Sequence, residues 1–254
     1  EPALVAILIL CGGMVLALRP QETSGGGAYF NLPFSYHPVR AGLVLFSGLI
    51  LIALAVQPAA GWYAFDQGEK QAQVGQVDLA AAWYQRAVRI SPGTTVYHDA
   101  LARASVQRFH LSGTPKLLVD AVEEESLARE LNLLDGRFPY RLGTIYRLLA
   151  EQKVAQAQRD MFLSQAAQAF EEAIKVDPFY PPSYLDLANI RLAQGRMDEA
   201  KAWLQEVVVT EPNFLPARML LAGLALTAGN YRAARSEYDE IIAIKKRYEG
   251  QVLG

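Results

Sequence analysis

The stretch 164–178, SQAAQAFEEAIKVDP, returns one period later as 197–212, MDEAKAWLQEVVVTEP, and again as 231–246, YRAARSEYDEIIAIKK. Ala166, Ala200 and Ala234 fall 34 residues apart, as do Pro178 and Pro212, and Gly195 and Gly229. Phe170, Leu204 and Tyr238 keep the same spacing, four residues after each alanine. Upstream, 77–92, VDLAAAWYQRAVRISP, fits the template through Ala80, Tyr84, Ala87 and Pro92. Self-similarity at a fixed period of this length marks one supersecondary unit repeated along the chain.

The residue types explain the unit. A small alanine lets two helices approach closely, and the large residue four positions on fills the same face one turn later. Gly75, Gly195 and Gly229 stand where the first helix of a pair must stop and reverse, a place that favours a left-handed residue. Pro92, Pro178 and Pro212 end the second helix, because proline cannot continue its hydrogen-bond ladder. Helix, turn and helix in 34 residues resembles the tetratricopeptide repeat. The pattern predicts an all-α chain whose larger part, 61–247, is an α-solenoid of about five such helix pairs, with 248–254 as a tail.

Two of the five pairs depart from the template. In the second, about 94–133, Glu125 stands where a large apolar residue is expected. The third opens with PYRLGTIYRLLAEQ, where Leu142, Gly143 and Tyr146 suit the first helix. It then carries roughly eleven extra residues around 154–163 before the second helix.

The resemblance implies a concave groove lined by the first helix of each pair, holding an extended peptide or a partner helix. Carried over by position, it points to Trp62, Phe65 and Glu69 in the first pair. The third pair offers Arg137, Tyr140, Thr144 and Arg147, the fourth Leu185, Asn189 and Leu192, and the fifth Met219, Gly223 and Leu226. Asn189 matches a position where the family often sets an asparagine against a ligand backbone. Arg137 and Arg147 suit an acidic or carboxylate-bearing partner through paired hydrogen bonds.

The N-terminal quarter reads differently. Up to Phe65 the only charged residues are Glu1, Arg19, Glu22 and Arg40, and the runs 3–18 and 41–56 hold no charge at all. Spanning helices need about 20 apolar residues. The second run reaches that length by recruiting Pro58 to Phe65, whose Trp62 and Tyr63 suit a membrane interface. Two transmembrane helices in a membrane region 1–60, joined by the loop 19–40, are therefore expected, with a lipid bilayer as partner. A pair of buried soluble helices is the alternative. A secretory signal peptide fits poorly, since the first run lacks a positively charged start. Arg19 and Arg40 border the short loop and favour a cytoplasmic side for it. The repeats would then lie in the periplasm of a bacterial inner membrane protein.

Composition excludes several functions. A net charge of -2, with no basic tail, speaks against nucleic acid. Cys11 is the only cysteine, so there is no intrachain disulfide. His98 and His110 stand twelve apart, which is no ligand spacing, and each is expected to be an ordinary, partly exposed side chain. Glu123, Glu124 and Glu125 read as a solvated helix face. Gly25, Gly26 and Gly27 lack the lysine of a phosphate loop. No cofactor, metal site or catalytic constellation is expected in this chain.

The arrangement as a whole, and the stretch LPFSYHPVRAGLVLFSGLILIALAVQPAAGWYAFDQG (32–68) above all, is similar to O-antigen ligase or polymerase family proteins that carry these repeats. That resemblance implies an accessory region of a membrane glycosyltransferase, with catalytic residues and polyprenyl-linked glycan in a part upstream. A membrane-anchored scaffold is the first expectation for the chain itself, and a structural subunit of a larger membrane complex is a further alternative.

Overall fold

A computed structural model describes residues 37–252, and it places ten helices there. They are α1 His37–Gln73, α2 Val77–Ile90, α3 Thr95–Ser112, α4 Lys116–Leu131, α5 Arg137–Ala150, α6 Gln156–Val176, α7 Pro181–Ala193, α8 Met197–Thr210, α9 Leu215–Thr227 and α10 Tyr231–Val252. The expected span at 3–18 and most of the loop 19–40 lie outside the described residues.

Each helix packs mainly on its neighbours in the chain, giving five antiparallel pairs stacked in line. That is the one-dimensional architecture of a solenoid, in which every unit buries the open face of the next. The buried seam carries the repeat: Ala80, Ala166, Ala200 and Ala234 are all at most 1% exposed, and Tyr84, Phe170 and Leu204 fill the space beside them. The close approach also depends on glycine. A Cβ on Gly68 would fall 2.5 Å from the ring of Tyr84, and one on Gly143 would fall 2.6 Å from the ring of Phe170.

Turns repeat as faithfully as cores. After α1, α7 and α9 the chain closes with paired bonds, Gln76 N to Gln71 O, Arg196 N to Arg191 O and Asn230 N to Ala225 O. Gly75, Gly195 and Gly229 take φ of +76°, +75° and +72° there, the left-handed cap that L side chains resist. At the other edge Pro92, Pro178 and Pro212 follow the ends of α2, α6 and α8.

Three features differ from the sequence expectation. The roughly eleven extra residues of the third pair make a middle helix longer than the repeat norm, as expected, but most of them lie within its second helix and not before it. α6 has 21 residues and starts at Gln156, because 156–163 holds no glycine or proline and Leu163 is buried in the core. Glu125 and His98 are not solvated. Only Glu123 of the three glutamates is exposed, while Glu125 is 0% exposed at the seam position of Tyr84 and Phe170. His98 is buried, with Nδ1 2.7 Å from Glu124 Oε2 and Nε2 2.8 Å from the Pro92 carbonyl. It thereby ties the α2–α3 turn to α4.

The third difference is α1. It begins at His37, within the expected loop, and runs without interruption through Pro58 into the first repeat. Proline removes one helical bond and crowds the carbonyl four residues back. The helix is held here from the side: Gln57 Nε2 donates to Ile90 O at 2.5 Å, and Gly61 lies against Ser91 and Tyr97. Leu45–Gln73 contains, among the described residues, the one helical stretch long and apolar enough to cross a membrane: its most apolar 18 residues have a mean hydropathy of 1.7, and 7% of them are buried.

Candidate partner-binding groove

The first helices α5 and α7 bring their faces together on the concave side. Tyr140 Oη donates to Asp186 Oδ2 at 3.0 Å, linking the third pair to the fourth. Its ring lies tilted at 5.7 Å from Phe170 and edge-on at 5.0 Å from Tyr180. Burial, then the neighbouring Asp186 charge, pushes the Tyr140 hydroxyl up. Burial also raises the Asp186 carboxyl, against the Tyr140 hydrogen bond and the Arg147 charge that lower it. Thr144 Oγ1 donates back to the Tyr140 carbonyl at 3.2 Å.

Arg147 and Asn189 line one cavity of about 400 Å³. Asp186, Glu151 and Arg159 share its wall, and Leu163 belongs to its apolar part. Arg147 Nη1 bonds Glu151 Oε1 at 2.7 Å, yet its Nε is buried with no hydrogen-bond partner among the described residues. Asn189 and Arg159 are exposed and pair with no described residue. The cavity thus holds unused donors from three helices: α5, α6 and α7.

Other expected groove residues sit elsewhere. Arg137 grips Asp135 through Nη2–Oδ2 at 2.6 Å and Nε–Oδ1 at 2.9 Å, closing the α4–α5 turn outside the cavity. That hydrogen bond lowers the Asp135 carboxyl and raises the Arg137 guanidinium. Leu185 and Leu192 are partly buried against the core. Met219 is exposed and lies outside the cavity. Phe65 is sandwiched between Tyr84 and Tyr97, at 5.8 and 5.4 Å, and Glu69 accepts the Tyr84 hydroxyl at 2.7 Å. Sequence reading missed Arg159 and Asp186. Asp186 was within reach, three residues before Asn189 on one helix face, whereas Arg159 enters only because the added turns of α6 are helical. Among the described residues no cluster of side chains is arranged to hold a metal ion.

Fold and groove together define an α-solenoid of stacked helix pairs. Residues 163–213, spanning most of α6 and all of α7 and α8, match the tetratricopeptide repeat family. Solved structures extend the likeness along the chain. MamA from Desulfovibrio magneticus RS-1 superposes with a TM-score of 0.60 at 11% identity, over 74% of this chain and 96% of that one. TTC0263, a thermophilic TPR protein of Thermus thermophilus, gives 0.51 at 22% identity, over 77% and 100%. YrrB, a TPR protein described as having an unusual peptide-binding site, gives 0.53 at 15% identity, over 72% and 85%. At such identities the likeness defines the fold: a tetratricopeptide-type solenoid. No curated protein sequence matches the chain.

Proposed function

We propose that the chain is a membrane-anchored scaffold whose concave face takes an extended segment of a protein partner. One observation carries the reading: Arg147 and Asn189, from successive pairs, line one cavity in which the exposed Asn189 and Arg159 side chains are left unpaired. An acidic side chain would pair with the exposed Arg159 and the open end of the Arg147 guanidinium, and the Asn189 amide can bond a peptide backbone on both its donor and acceptor sides. The peptide-binding site of YrrB supports this use of the fold. With Arg147→Glu and Asn189→Ala together, cross-linked partner recovery should fall while helix content and melting temperature stay at parental values. Unchanged recovery at equal stability would remove the groove from the proposal.

The anchor is the apolar part of α1, in a bacterial inner membrane and with the solenoid on the periplasmic side. Support comes from the length of α1 and from the hydropathy and low burial of the most apolar 18 residues within Leu45–Gln73. The chain should then stay with membranes after alkaline carbonate washing. The O-antigen ligase-like reading, with this chain as an accessory region, is favoured by the direct growth of the first repeat out of that apolar helix.

A further inference from the structure

α1 leaves the solenoid at one defined edge, the edge formed by the turns that join one pair to the next. Gln57 and Gly61 meet the α2–α3 turn there, through Ile90 O and Ser91. From that level α1 continues back to His37, and the charge-free part of this stretch, 41–56, is about 24 Å long at 1.5 Å per residue, with Arg40 beyond it where the far headgroups would lie. Leu45, Phe46, Leu49 and Val56 on this stretch are each more than half exposed.

Lateral contacts keep the later pairs level with that exit. Asp99, fifth residue of α3, pairs with Arg141, fifth residue of α5. Tyr140 in α5 reaches Asp186, sixth residue of α7. The turn after α4 rests on the turn after α6, since a Cβ on Gly136 would stand 3.1 Å from that of Asp177. These two touching turns carry the most solvent-exposed large apolar side chains of the solenoid's edge: Leu134 at 90% and Phe179 at 82%, flanked by Leu133 and Tyr180. The last helix, α10, also runs toward this edge, and its Lys245, Lys246 and Arg247 are exposed.

We propose that this edge of the solenoid lies on the bilayer surface, with Leu133, Leu134, Phe179 and Tyr180 seated among the lipid headgroups and the basic end of α10 facing anionic lipid. The inference rests on the reading of α1 as a membrane stalk. Leucine and aromatic side chains gain from burial at the headgroup boundary, and lysine and arginine gain from anionic lipid beside it. The opposite edge also exposes apolar side chains, Val74, Leu111, Met197 and Tyr231, but each stands in or beside a different turn, and α1 leaves from the other edge. A solenoid lying on its turns has its helices upright on the membrane and its groove open sideways, within reach of a partner that is itself membrane-bound.

The test uses the full chain with Cys11→Ser, reconstituted into phosphatidylethanolamine and phosphatidylglycerol vesicles. Single nitroxide labels are placed through Leu134→Cys, Phe179→Cys, Leu49→Cys for the stalk, and Gln76→Cys for the opposite edge. Labels at 134 and 179 should be relaxed several-fold more by oxygen, and several-fold less by a water-soluble nickel chelate, than the label at 76. If 49 reports the bilayer interior while 134 and 179 match 76, the edge stands clear of the membrane and this proposal fails alone. If 49 itself is open to the nickel chelate, the stalk reading fails and takes the proposal with it.

Discussion

Gly143 and Phe170 share space that no other pairing of side chains would fill in the same way. The nearest ring carbon lies 2.6 Å from where a Cβ would stand, and Phe170 is 0% exposed, so the ring has nowhere to retreat. Gly143→Ala should destabilise the solenoid by about 1–2 kcal/mol, overpacking outweighing a gain of about 1 kcal/mol in helix propensity. Gly223, inside α9, has nothing within 4 Å of the same position. There the same substitution should stabilise by about 0.5–1 kcal/mol, so chemical denaturation of the two variants should shift in opposite directions. Glu125 sets a different constraint. Burial pushes its carboxyl up to about 8 from the ordinary 4.5, with Arg103 opposing and Asp135 adding to the shift. Between those values the folded chain keeps a proton that the unfolded chain releases, so stability falls as pH rises from about 4.5 to 8. The loss is on the order of a few kcal/mol. Glu125→Leu, which restores the residue type of Leu204, should flatten that slope in denaturation midpoints and raise the midpoint most at pH 8. The glutamate was visible in the sequence as a departure from the repeat. Its surroundings were not, because Asp99, Arg103 and Arg141 come from other helices. Gly68 was equally legible, sixteen residues before Tyr84 as Ala188 is before Leu204, but its role shows only across the pair.

At the scale of the element, periodicity revealed most of the fold, because every alanine, glycine and proline acts within its own pair. Caps illustrate this. Gly195 is at φ +75° with open space around it, so its constraint is the backbone alone. Gly195→Ala should cost about 1 kcal/mol, and Gly195→Asn less, measured as thermal midpoints. Long-range support was what sequence patterns did not carry. Pro58 reads locally as a break, yet α1 passes it because Gln57 is fastened to the end of α2, 33 residues on. The lengthened α6 is the second case. Gly143 and Phe170 are 27 residues apart where Gly68 and Tyr84 are 16, and part of the difference lies in the non-helical 151–155. α6 itself has 21 residues where α2 and α8 have 14, so seven of the added residues, about two turns, extend its start and bring Arg159 to the groove. Of the expected groove residues, Arg147 and Asn189 meet in the cavity, while Arg137, Leu185 and Leu192 are engaged in a turn or the core.

The whole molecule is a row of pairs with a core shared between neighbours. Its largest apolar cluster runs from Ala150 to Leu221, through the third, fourth and fifth pairs, and it contains the helices that line the groove. Tyr238, at the seam position of Tyr84 and Phe170, is 43% exposed because no described helix covers it. The proposed groove is thus set in the stretch of the row that holds this largest cluster. The unbroken α1 couples that stretch to whatever holds the other end of the helix. An α-helix turns about 100° for each residue, so one amino acid added between 50 and 56 would swing the entire groove about a quarter-turn around the stalk while lifting it only about 1.5 Å. Compass bearing, far more than height, is therefore what the residue count of α1 encodes.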